Sequence, residues 1–481
     1  MPLVILGLAT FVYSLYGFEG PLYRDYGIYL YGGQRMADGV PPYVSIFDHK
    51  GPLPVMIAGI GAVIAELSNW DDIYAVRLVF FITGCLSVVA VYLLGGSVFR
   101  SRVAGLFAAL TFLGFYSFAR SVASGPDAKT PMVLFEALSL YLASRKSWFW
   151  AGFSGSLALL VWQPMGLLAA GVVILAFTQP RDARYRASFR ALAGLTVPLV
   201  LTVSYYWYEG ALDKLADGLF LFNLLYINRG SLPILKPIGP ISQLLNWYGI
   251  MLVPIVVGLC VILSLYFLRP LKYRYAPILI SLPLFALWSL TDFQTPDDFY
   301  VFLPYAAIGF GALLAAALRR VETPRLIGVV LAAGLLVAAV ANTPVIEGTA
   351  NQKPSLAAQR ESARQIQQKF GRDARLISIN APQVFVFLDQ KNPNPYLFTT
   401  EGIDRIIAAR TPGGFEGWLN ELEDYDPEAI AFFAEAQRQL PSAGMTATHK
   451  RQLRDWLGPR YHVEKIGVFW LYVKNSPAKK S

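Results

Sequence analysis

The sequence is poor in charged residues, in cysteine and in histidine. Of its 481 residues, 15% are charged and 55% are hydrophobic, whereas about a quarter of the residues in an ordinary soluble domain are charged. This scarcity of charge excludes a conventional soluble enzyme. With two cysteines and three histidines, the chain offers no basis for a disulfide framework or a His/Cys metal cluster. The net charge of +9 is spread over short clusters, so nucleic acid is not an expected partner.

Long apolar segments dominate residues 1–344. A helix needs roughly 20 apolar residues to cross a hydrocarbon core of about 30 Å. Such segments predict a polytopic, all-α membrane bundle of about eleven transmembrane helices. They lie near residues 2–18, 75–97, 103–119, 130–144, 148–161, 165–179, 190–207, 247–268, 276–290, 299–318 and 325–341. The two segments beside Gln163-Pro164 could instead form one kinked hairpin, and we expect the first segment to be a retained anchor rather than a signal peptide.

Basic residues mark every second loop between the predicted spans. These loops carry Arg100 and Arg102; Arg145 and Lys146; Arg181, Arg184, Arg186 and Arg190; Arg269, Lys272 and Arg274; and Arg319, Arg320 and Arg325. The positive-inside tendency places them in the cytoplasm. We therefore expect a multi-pass plasma-membrane protein with a cytoplasmic N-terminus. The other loops and residues 345–481 would then be extracytoplasmic.

The first predicted outward loop, residues 19–74, combines an acid with several cations. Asp25 follows Arg24 directly, and His49 and Lys50 return in the same loop. A carboxylate close to several cations at a lipid-water boundary is suited to act as a base beside a bound phosphate. A solvated ion pair would give the same pattern, and the residues alone leave that alternative open. The apolar stretch 54–67 is short for a span and predicts a helix on the membrane surface.

Three further outward loops contain candidate residues. Ser124-Gly125-Pro126-Asp127 precedes the fourth span, and Asp127 could orient sugar hydroxyls or simply begin the helix. The loop 208–246 predicts a surface helix over 211–226, followed by Arg229, which could contact phosphate or lipid headgroups. The last loop, 291–299, is rich in acids.

From about residue 345 the composition becomes that of a soluble domain. Helices are predicted over 356–370, 415–425 and 450–457, and strands over 375–380, 429–433, 462–465 and 468–473. This alternation predicts a small α/β domain, separate from the membrane domain of residues 1–344. It contains no nucleophile elbow, glycine-rich phosphate loop or metal motif. Its expected role is acceptor binding or simple support.

Taken in order, these loops resemble those of the GT-C glycosyltransferases that use polyprenyl-phosphate sugars. The relatives are protein O-mannosyltransferases, lipid A aminoarabinose transferases and archaeal dolichyl-phosphate-mannose mannosyltransferases. In that family an Asp, often followed by Glu, opens the first loop, and a Lys-Pro-Pro-like element closes it. Here Tyr26 stands in the Glu position and Gly51 replaces the first Pro. Ser124-Gly125-Pro126-Asp127 is similar to the second family acid, and Asp298-Phe299-Tyr300-Val301-Phe302-Leu303-Pro304 to an aromatic-rich entry into a late span.

The resemblance implies a GT-C-like fold and transfer, with inversion, of a mannose-like or arabinose-like sugar from a polyprenyl-phosphate donor. Asp25 would be the general base. The donor phosphate would be bound by Lys50, His49, Arg24, Arg120 and Arg229; the acceptor or sugar would be bound by Asp127, Tyr26, Asp48 and Tyr300. An extracytoplasmic glycan, lipid or protein would be the acceptor, and membrane lipids would be further partners. No cofactor is required on this interpretation, although a divalent ion between acids remains open.

Polytopic architecture alone is compatible with other functions. A lipid-sugar transporter or flippase is one alternative, but such proteins tend to show internal repeats and ionisable groups at mid-membrane. An envelope polysaccharide polymerase or ligase is a second alternative, and a non-catalytic scaffold is a third. The sequence shows no clear repeat, and its acids gather in the predicted outward loops, which favours the transferase.

Overall fold

The computed structural model describes residues 1–226, 238–268, 274–293, 295–343, 354–399, 402–432 and 445–475. The chain divides into two compact units, each built from three segments. The helical unit consists of Met1–Phe18, Arg77–Tyr205 and Arg229–Asn351. The mixed unit consists of Glu19–Val76, Tyr206–Asn228 and Gln352–Ser481.

The helical unit follows the apolar segments of the sequence closely. Its α-helices are Pro2–Ser14, the larger part of Asp72–Phe99, Arg102–Leu113, Tyr116–Ser124, Lys129–Ser144, Trp148–Val161, Gly166–Phe177, most of Arg181–Tyr208, Ile238–Tyr248, Leu252–Leu268, Ala276–Asp292, Leu303–Leu318 and Pro324–Ala341. Short 3-10 turns at Gln163–Met165, Gly249–Met251 and Pro296–Phe302 join neighbouring helices. The predicted break at Gln163-Pro164 is therefore a tight turn between two helices.

Fewer helices than expected satisfy the requirements for crossing a membrane alone. Within the described residues, five helices are both long and apolar enough: Asp72–Phe99, Arg181–Tyr208, Gln243–Phe267, Asp297–Leu318 and Pro324–Ala341. The pair Arg102–Leu113 and Tyr116–Ser124, bent by 67°, becomes a sixth if it forms one broken span. This is the pattern of a multi-pass membrane protein, but the predicted count of eleven is not confirmed.

Two helices of the helical unit touch backbone to backbone. A Cβ atom added to Gly258 would lie 1.9 Å from the carbonyl oxygen of Ala306, and one added to Gly309 would lie 2.0 Å from the carbonyl oxygen of Gly258. Real Cβ atoms do not approach so closely, so both glycines are required where Leu252–Leu268 crosses Leu303–Leu318. Small residues at such crossings are typical of membrane helices, whose association depends on close packing.

We expect Gly309→Ala to destabilise the protein, because the new methyl group would force these two helices apart. Overpacking of this kind costs about 1–3 kcal/mol, which should lower the midpoint of thermal denaturation in detergent. Gly334→Ala is the matched control, since nothing lies within 4 Å of a Cβ at Gly334. Equal midpoints for the two variants would contradict the packing described here.

The mixed unit combines α-helices with one small sheet. Its helices are Arg24–Ala37, Leu53–Ser68, Leu212–Ala216, Leu356–Phe370, Pro382–Leu388, Ile403–Arg410, Gly414–Tyr425 and Ala447–Arg460, with a π-helix at Asp217–Tyr226. The strands are β1 (Leu376–Ile379), β2 (Ala429–Phe432), β3 (Tyr461–Ile466) and β4 (Phe469–Lys474). They are ordered β1-β2-β4-β3, with β1 parallel to β2 and the other neighbours antiparallel. The sequence analysis did not predict the helices Arg24–Ala37, Pro382–Leu388 and Ile403–Arg410, and it predicted an ordinary helix where the structure has a π-helix.

Within the mixed unit, residues 19–76 pack on the C-terminal part of the chain. The Tyr31 ring meets the Phe385 ring edge-on, with 6.5 Å between the centroids. At Gly27 a Cβ would lie 2.7 Å from the backbone nitrogen of Gln383, so the two backbones nearly touch. The backbone N–H of Phe47 donates to the carbonyl oxygen of Pro395 (2.8 Å). The first predicted outward loop is thus supported by the C-terminal residues, while a separate domain of residues 345–481 stays a prediction.

Candidate active site

Asp25 lies in the first turn of the helix Arg24–Ala37. Acidic side chains are favoured there because the helix dipole places partial positive charge at its N-terminus. The preceding residue, Tyr23, is extended and makes no side-chain cap. The Asp25 carboxylate is 45% exposed, and its Oδ1 lies 3.0 Å from a guanidinium nitrogen of Arg24. An acid that is partly open to solvent and paired with a cation can still meet a ligand.

Lys50 joins Asp25 to a tyrosine that the sequence analysis missed. The Lys50 ammonium donates to the hydroxyl of Tyr29 (2.9 Å) and, more loosely, to Oδ2 of Asp25 (3.4 Å). Asp25 and Tyr29 are four residues apart on one helix and therefore share a face. That spacing was readable in the sequence. What it could not show is that Lys50 returns to this face.

The segment that carries Lys50 is held by the π-helix Asp217–Tyr226. The side-chain amide of Asn223 donates to the carbonyl oxygen of His49 (2.8 Å), and the Phe222 ring lies beside the His49 ring with 5.7 Å between centroids. The hydroxyl of Tyr43 donates to the carbonyl oxygen of Lys50 (2.5 Å). These bonds fix the peptide groups on both sides of the Lys50 Cα, which directs its long side chain.

Asp48 is buried next to this cluster. Its Oδ1 accepts from the backbone N–H of His49 (2.7 Å), and the residue is 3% exposed. Oδ2 of Asp48 has no hydrogen-bond partner among the residues that the structure describes. Buried carboxylate oxygens are costly to leave unmatched, so Asp48 is suited to accept a hydrogen bond from a ligand or an ordered water.

The charges in this cluster depend on one another. Burial by itself would raise the pKa of Asp25, but Lys50, Arg24 and His49 outweigh it and hold that pKa well below its usual range. Burial would lower the pKa of Lys50, yet the neighbouring Tyr29, Asp25 and Asp48 raise it well above its usual value. Burial also keeps the pKa of Tyr29 high. At neutral pH the cluster therefore holds a carboxylate, an ammonium and a neutral phenol.

The remaining predicted residues of the mixed unit complete its surroundings. The Tyr26 ring meets the Tyr23 ring, with 5.6 Å between centroids. The Arg24 guanidinium lies 5.8 Å from the centre of the Phe398 ring, so it is held from two sides. Arg24, Tyr26, Asp48 and His49 thus belong to the same unit as Asp25 and Lys50. Arg229 lies outside the described residues.

A second charged cluster occurs within the helical unit. Asp127 accepts a hydrogen bond from the backbone N–H of Lys129 (2.8 Å), as a residue at the start of a helix does. The buried Lys129 ammonium pairs with the buried Asp298 carboxylate and lies 5.1 Å from the centre of the Trp162 ring. Lys129 and Asp298 are 6% and 5% exposed, so this pair is shielded from water, and the sequence analysis had not singled it out.

The other two predicted residues of the helical unit are placed differently. Tyr300 is fully buried, and its hydroxyl shares hydrogen bonds with the hydroxyls of Ser117 (2.8 Å) and Ser121 (3.0 Å). Arg120 lies on the same helix as these serines and is half-buried. Tyr300 therefore packs in the core of its unit, and its predicted role in sugar binding stays a prediction.

Arg77 is a buried cation that the sequence analysis did not select. Its side chain is fully buried, and its Nε–H donates to the carbonyl oxygen of Gly125 (2.9 Å). The same guanidinium also donates to the carbonyl oxygen of Phe18. Gly125 precedes Asp127 by two residues, so Arg77 fixes the loop that carries the second predicted acid.

A metal site is not evident in this part of the chain. Among the residues described, no three His, Cys, Asp or Glu side chains are grouped so that they could hold a metal ion. Lys50, Arg24 and His49 offer positive or hydrogen-bonding groups without a metal. The expectation that no cofactor is required stays a prediction.

Comparisons with known proteins connect these features to a family. A family model described as dolichyl-phosphate-mannose-protein mannosyltransferase matches residues 50–207, which is less than half of the chain. A comparison with curated proteins gives no significant match. The chain is thus related in sequence to this family only over that range.

Solved structures match over nearly the whole chain. ArnT from Cupriavidus metallidurans bound to undecaprenyl phosphate matches with a TM-score of 0.62 at 14% identity, covering 99% of this chain and 97% of that chain; its apo state matches with 0.61 at 14%, covering 98% and 97%. The archaeal oligosaccharyltransferase AglB from Archaeoglobus fulgidus, in complex with an inhibitory peptide and a dolichol-phosphate, matches with 0.55 at 13%, covering 99% and 75%.

At such low identity these likenesses establish the fold and leave the chemistry open. The shared fold is the GT-C fold that the resemblance of the predicted loops implied. The chain therefore has the fold of these GT-C proteins, and residues 50–207 in addition match the mannosyltransferase family model.

Proposed function

We propose that this chain is a membrane glycosyltransferase that moves a sugar from a polyprenyl phosphate to an acceptor hydroxyl, with Asp25 as the general base. The observation that carries the proposal is the Lys50 ammonium, which bonds both the Tyr29 hydroxyl and the Asp25 carboxylate. This contact places a cation that can bind a phosphate next to an ionised carboxylate that can accept a proton. The two structural neighbours that hold undecaprenyl phosphate and dolichol-phosphate support the choice of donor.

The leaving group needs positive charge, because negative charge builds up on the phosphate oxygens as the sugar departs. Lys50 supplies it, with Arg24 and His49 nearby, and their effect is strengthened where water is partly excluded. The Tyr29 hydroxyl accepts a bond from Lys50, so its own proton can be donated to a phosphate oxygen. A polyprenyl phosphate is already a good leaving group, so a second carboxyl group acting as an acid is not required.

The transfer itself is an inverting displacement. The acceptor oxygen forms a bond to the anomeric carbon while the bond from that carbon to the phosphate oxygen breaks. The acceptor proton passes to Asp25, and the polyprenyl phosphate leaves with the bonding electrons. Asp25 is ionised at neutral pH and partly exposed, which is the state that a base needs before the reaction.

Further residues of this proposal have less specific roles. Asp48, whose buried Oδ2 has no hydrogen-bond partner among the described residues, and Tyr26 would bind the sugar or the acceptor. Roles for Asp127 and Tyr300 in sugar or acceptor binding, and for Arg120 and Arg229 in donor-phosphate binding, are proposed from the resemblance of the sequence alone. The sugar would be mannose-like or arabinose-like, and the acceptor an extracytoplasmic glycan, lipid or protein. The active site would face away from the cytoplasm of a cell membrane.

Asp25→Asn should strongly reduce sugar transfer while leaving donor binding intact. The amide keeps the shape of the side chain but cannot take the proton, and loss of a general base typically costs 10²- to 10⁴-fold in rate. The measurement is transfer of radiolabelled sugar from polyprenyl-phosphate mannose or arabinose to a crude envelope acceptor, with donor affinity determined separately.

Asp213→Asn is the matched control for this substitution. Asp213 belongs to the same unit, is also paired with an adjacent basic residue, Lys214 (3.1 Å), and is 67% exposed. Its variant should transfer sugar at the wild-type rate. Normal transfer by Asp25→Asn would exclude Asp25 as the base. A protein that moves the lipid across vesicles without transferring sugar would indicate a flippase instead.

The pH dependence should report the cations around Asp25. In the wild type the pKa of Asp25 is held well below its usual value of about 3.9, so protonation of Asp25 should not reduce activity at pH values down to about 4. Lys50→Met removes the largest of the attractions that lower this pKa. The pKa should rise, and the acid side of the profile of kcat/KM should move to higher pH.

The maximum value of kcat/KM should also fall in Lys50→Met, because Lys50 would bind the phosphate. The pH at which the acid limb lies is measured independently of that maximum. Lys214→Met is the control, since Lys214 is 47% exposed and pairs with the adjacent, exposed Asp213. It should change neither the maximum nor the pH of the acid limb. An acid limb that moves to lower pH in Lys50→Met would contradict the electrostatics described for Asp25.

A further inference from the structure

Gln359 makes an unusual pair of bonds to the segment that leads into Asp25. Its side-chain oxygen accepts from the backbone N–H of Leu22 (2.7 Å), and its side-chain nitrogen donates to the carbonyl oxygen of Leu22 (2.9 Å). One side-chain amide thus binds both polar groups of a single residue, as a neighbouring strand would. Leu22 is fully buried and Gln359 is 2% exposed, so water does not compete for these bonds.

We infer that Gln359 is a positioning residue, which holds the backbone before Asp25 in the orientation that the proposed transfer requires. The inference rests on the proposed function. Leu22 precedes Asp25 by three residues, and the helix that carries Asp25 begins at Arg24 without a side-chain cap from Tyr23. The direction in which the chain enters this helix is therefore set from outside the helix, by the two hydrogen bonds between Gln359 and Leu22.

Gln359 can orient Leu22 because it lies on a helix that is itself fixed by several contacts. The helix Leu356–Phe370 is capped by Ser355, whose hydroxyl accepts from the backbone N–H of Ala358 (3.2 Å). The next residue, Arg360, binds both carboxylate oxygens of Asp71, at 2.9 and 2.7 Å. A group fixed by its own neighbours holds its partner more accurately than a group on a loose loop.

The sequence pattern of this helix supports a role beyond packing. Leu356, Ala363 and Ile366 are buried at spacings that place them on one face of the helix. Gln359 lies on that same face, where an apolar residue would be expected. A buried amide is tolerated there because both of its polar atoms are matched by Leu22. The C-terminal part of the chain would thus serve catalysis without touching the substrate.

Gln359→Met tests the inference in the full-length protein, because Met has a similar length and lacks both hydrogen-bonding atoms. We expect kcat to fall by roughly tenfold to a hundredfold, the size of effect that small misplacements of a catalytic group produce. Donor affinity, measured as binding of the polyprenyl-phosphate sugar, should stay within about twofold, since the phosphate-binding Lys50 is untouched. Exchange of the Leu22 amide hydrogen should become faster.

Gln359→Glu and Gln365→Met complete the experiment. The glutamate can still accept from the Leu22 N–H but cannot donate when ionised, so it should retain an intermediate kcat. It also keeps the test informative if Gln359→Met fails to fold. Gln365 lies on the same helix and is exposed, so its variant should match the wild type in kcat and in amide exchange.

A double variant separates positioning from general support. If Gln359 acts through Asp25, Gln359→Met should cause little further loss in an Asp25→Asn background. Full additivity of the two losses, or an unchanged kcat in Gln359→Met with faster exchange at Leu22, would overturn the inference. A wild-type protein that transfers no sugar would instead defeat the proposed function, which keeps the two failures distinct.

Discussion

The site depends on one ammonium group, that of Lys50, placed between a phenol and a carboxylate. Removing an amine of this kind from water is unfavourable unless its protons are matched, and Tyr29 and Asp25 match them. The bond to Tyr29 is the shorter, at 2.9 Å, and the distance to Asp25 is 3.4 Å. Lys50 is therefore anchored by a neutral partner and only loosely held by the acid. That asymmetry leaves the carboxylate available for other chemistry.

Support for this arrangement comes from distant parts of the chain. The π-helix Asp217–Tyr226 fixes the peptide groups beside Lys50 through Asn223, and Gln359 fixes the backbone before Asp25 through Leu22. Both connections end on backbone atoms, so they set the path of the chain and leave the reacting side chains free. The close approach of Gly27 to Gln383 has the same consequence, because it allows the helix that carries Asp25 to lie directly on the C-terminal residues.

Local sequence patterns predicted much of this structure. The features that they did not predict depend on contacts between residues distant in sequence. Apolar segments predicted nearly every helix of the helical unit, because burial in lipid or protein requires the same run of residues. The prediction failed for Pro382–Leu388, a short helix that begins with proline and is stabilised by packing on Gly27 and Tyr31. Asp25 and Lys50 were proposed from their shared loop. Tyr29, Gln359 and Arg77 were not, because each one's role depends on a partner distant in sequence, and no spacing reports such a partner.

The low pKa of Asp25 and its proposed role as a base are compatible if the donor changes its surroundings. A carboxylate held by cations is a weak base, and in the unliganded site Lys50, Arg24 and His49 all attract it. A donor phosphate would bring negative charge to these same cations and share their hydrogen bonds. The attraction on Asp25 would weaken and its pKa would rise, while the Tyr29 hydroxyl kept Lys50 in place. The base would then become stronger only when the donor is present, which limits unproductive proton transfer in the empty site.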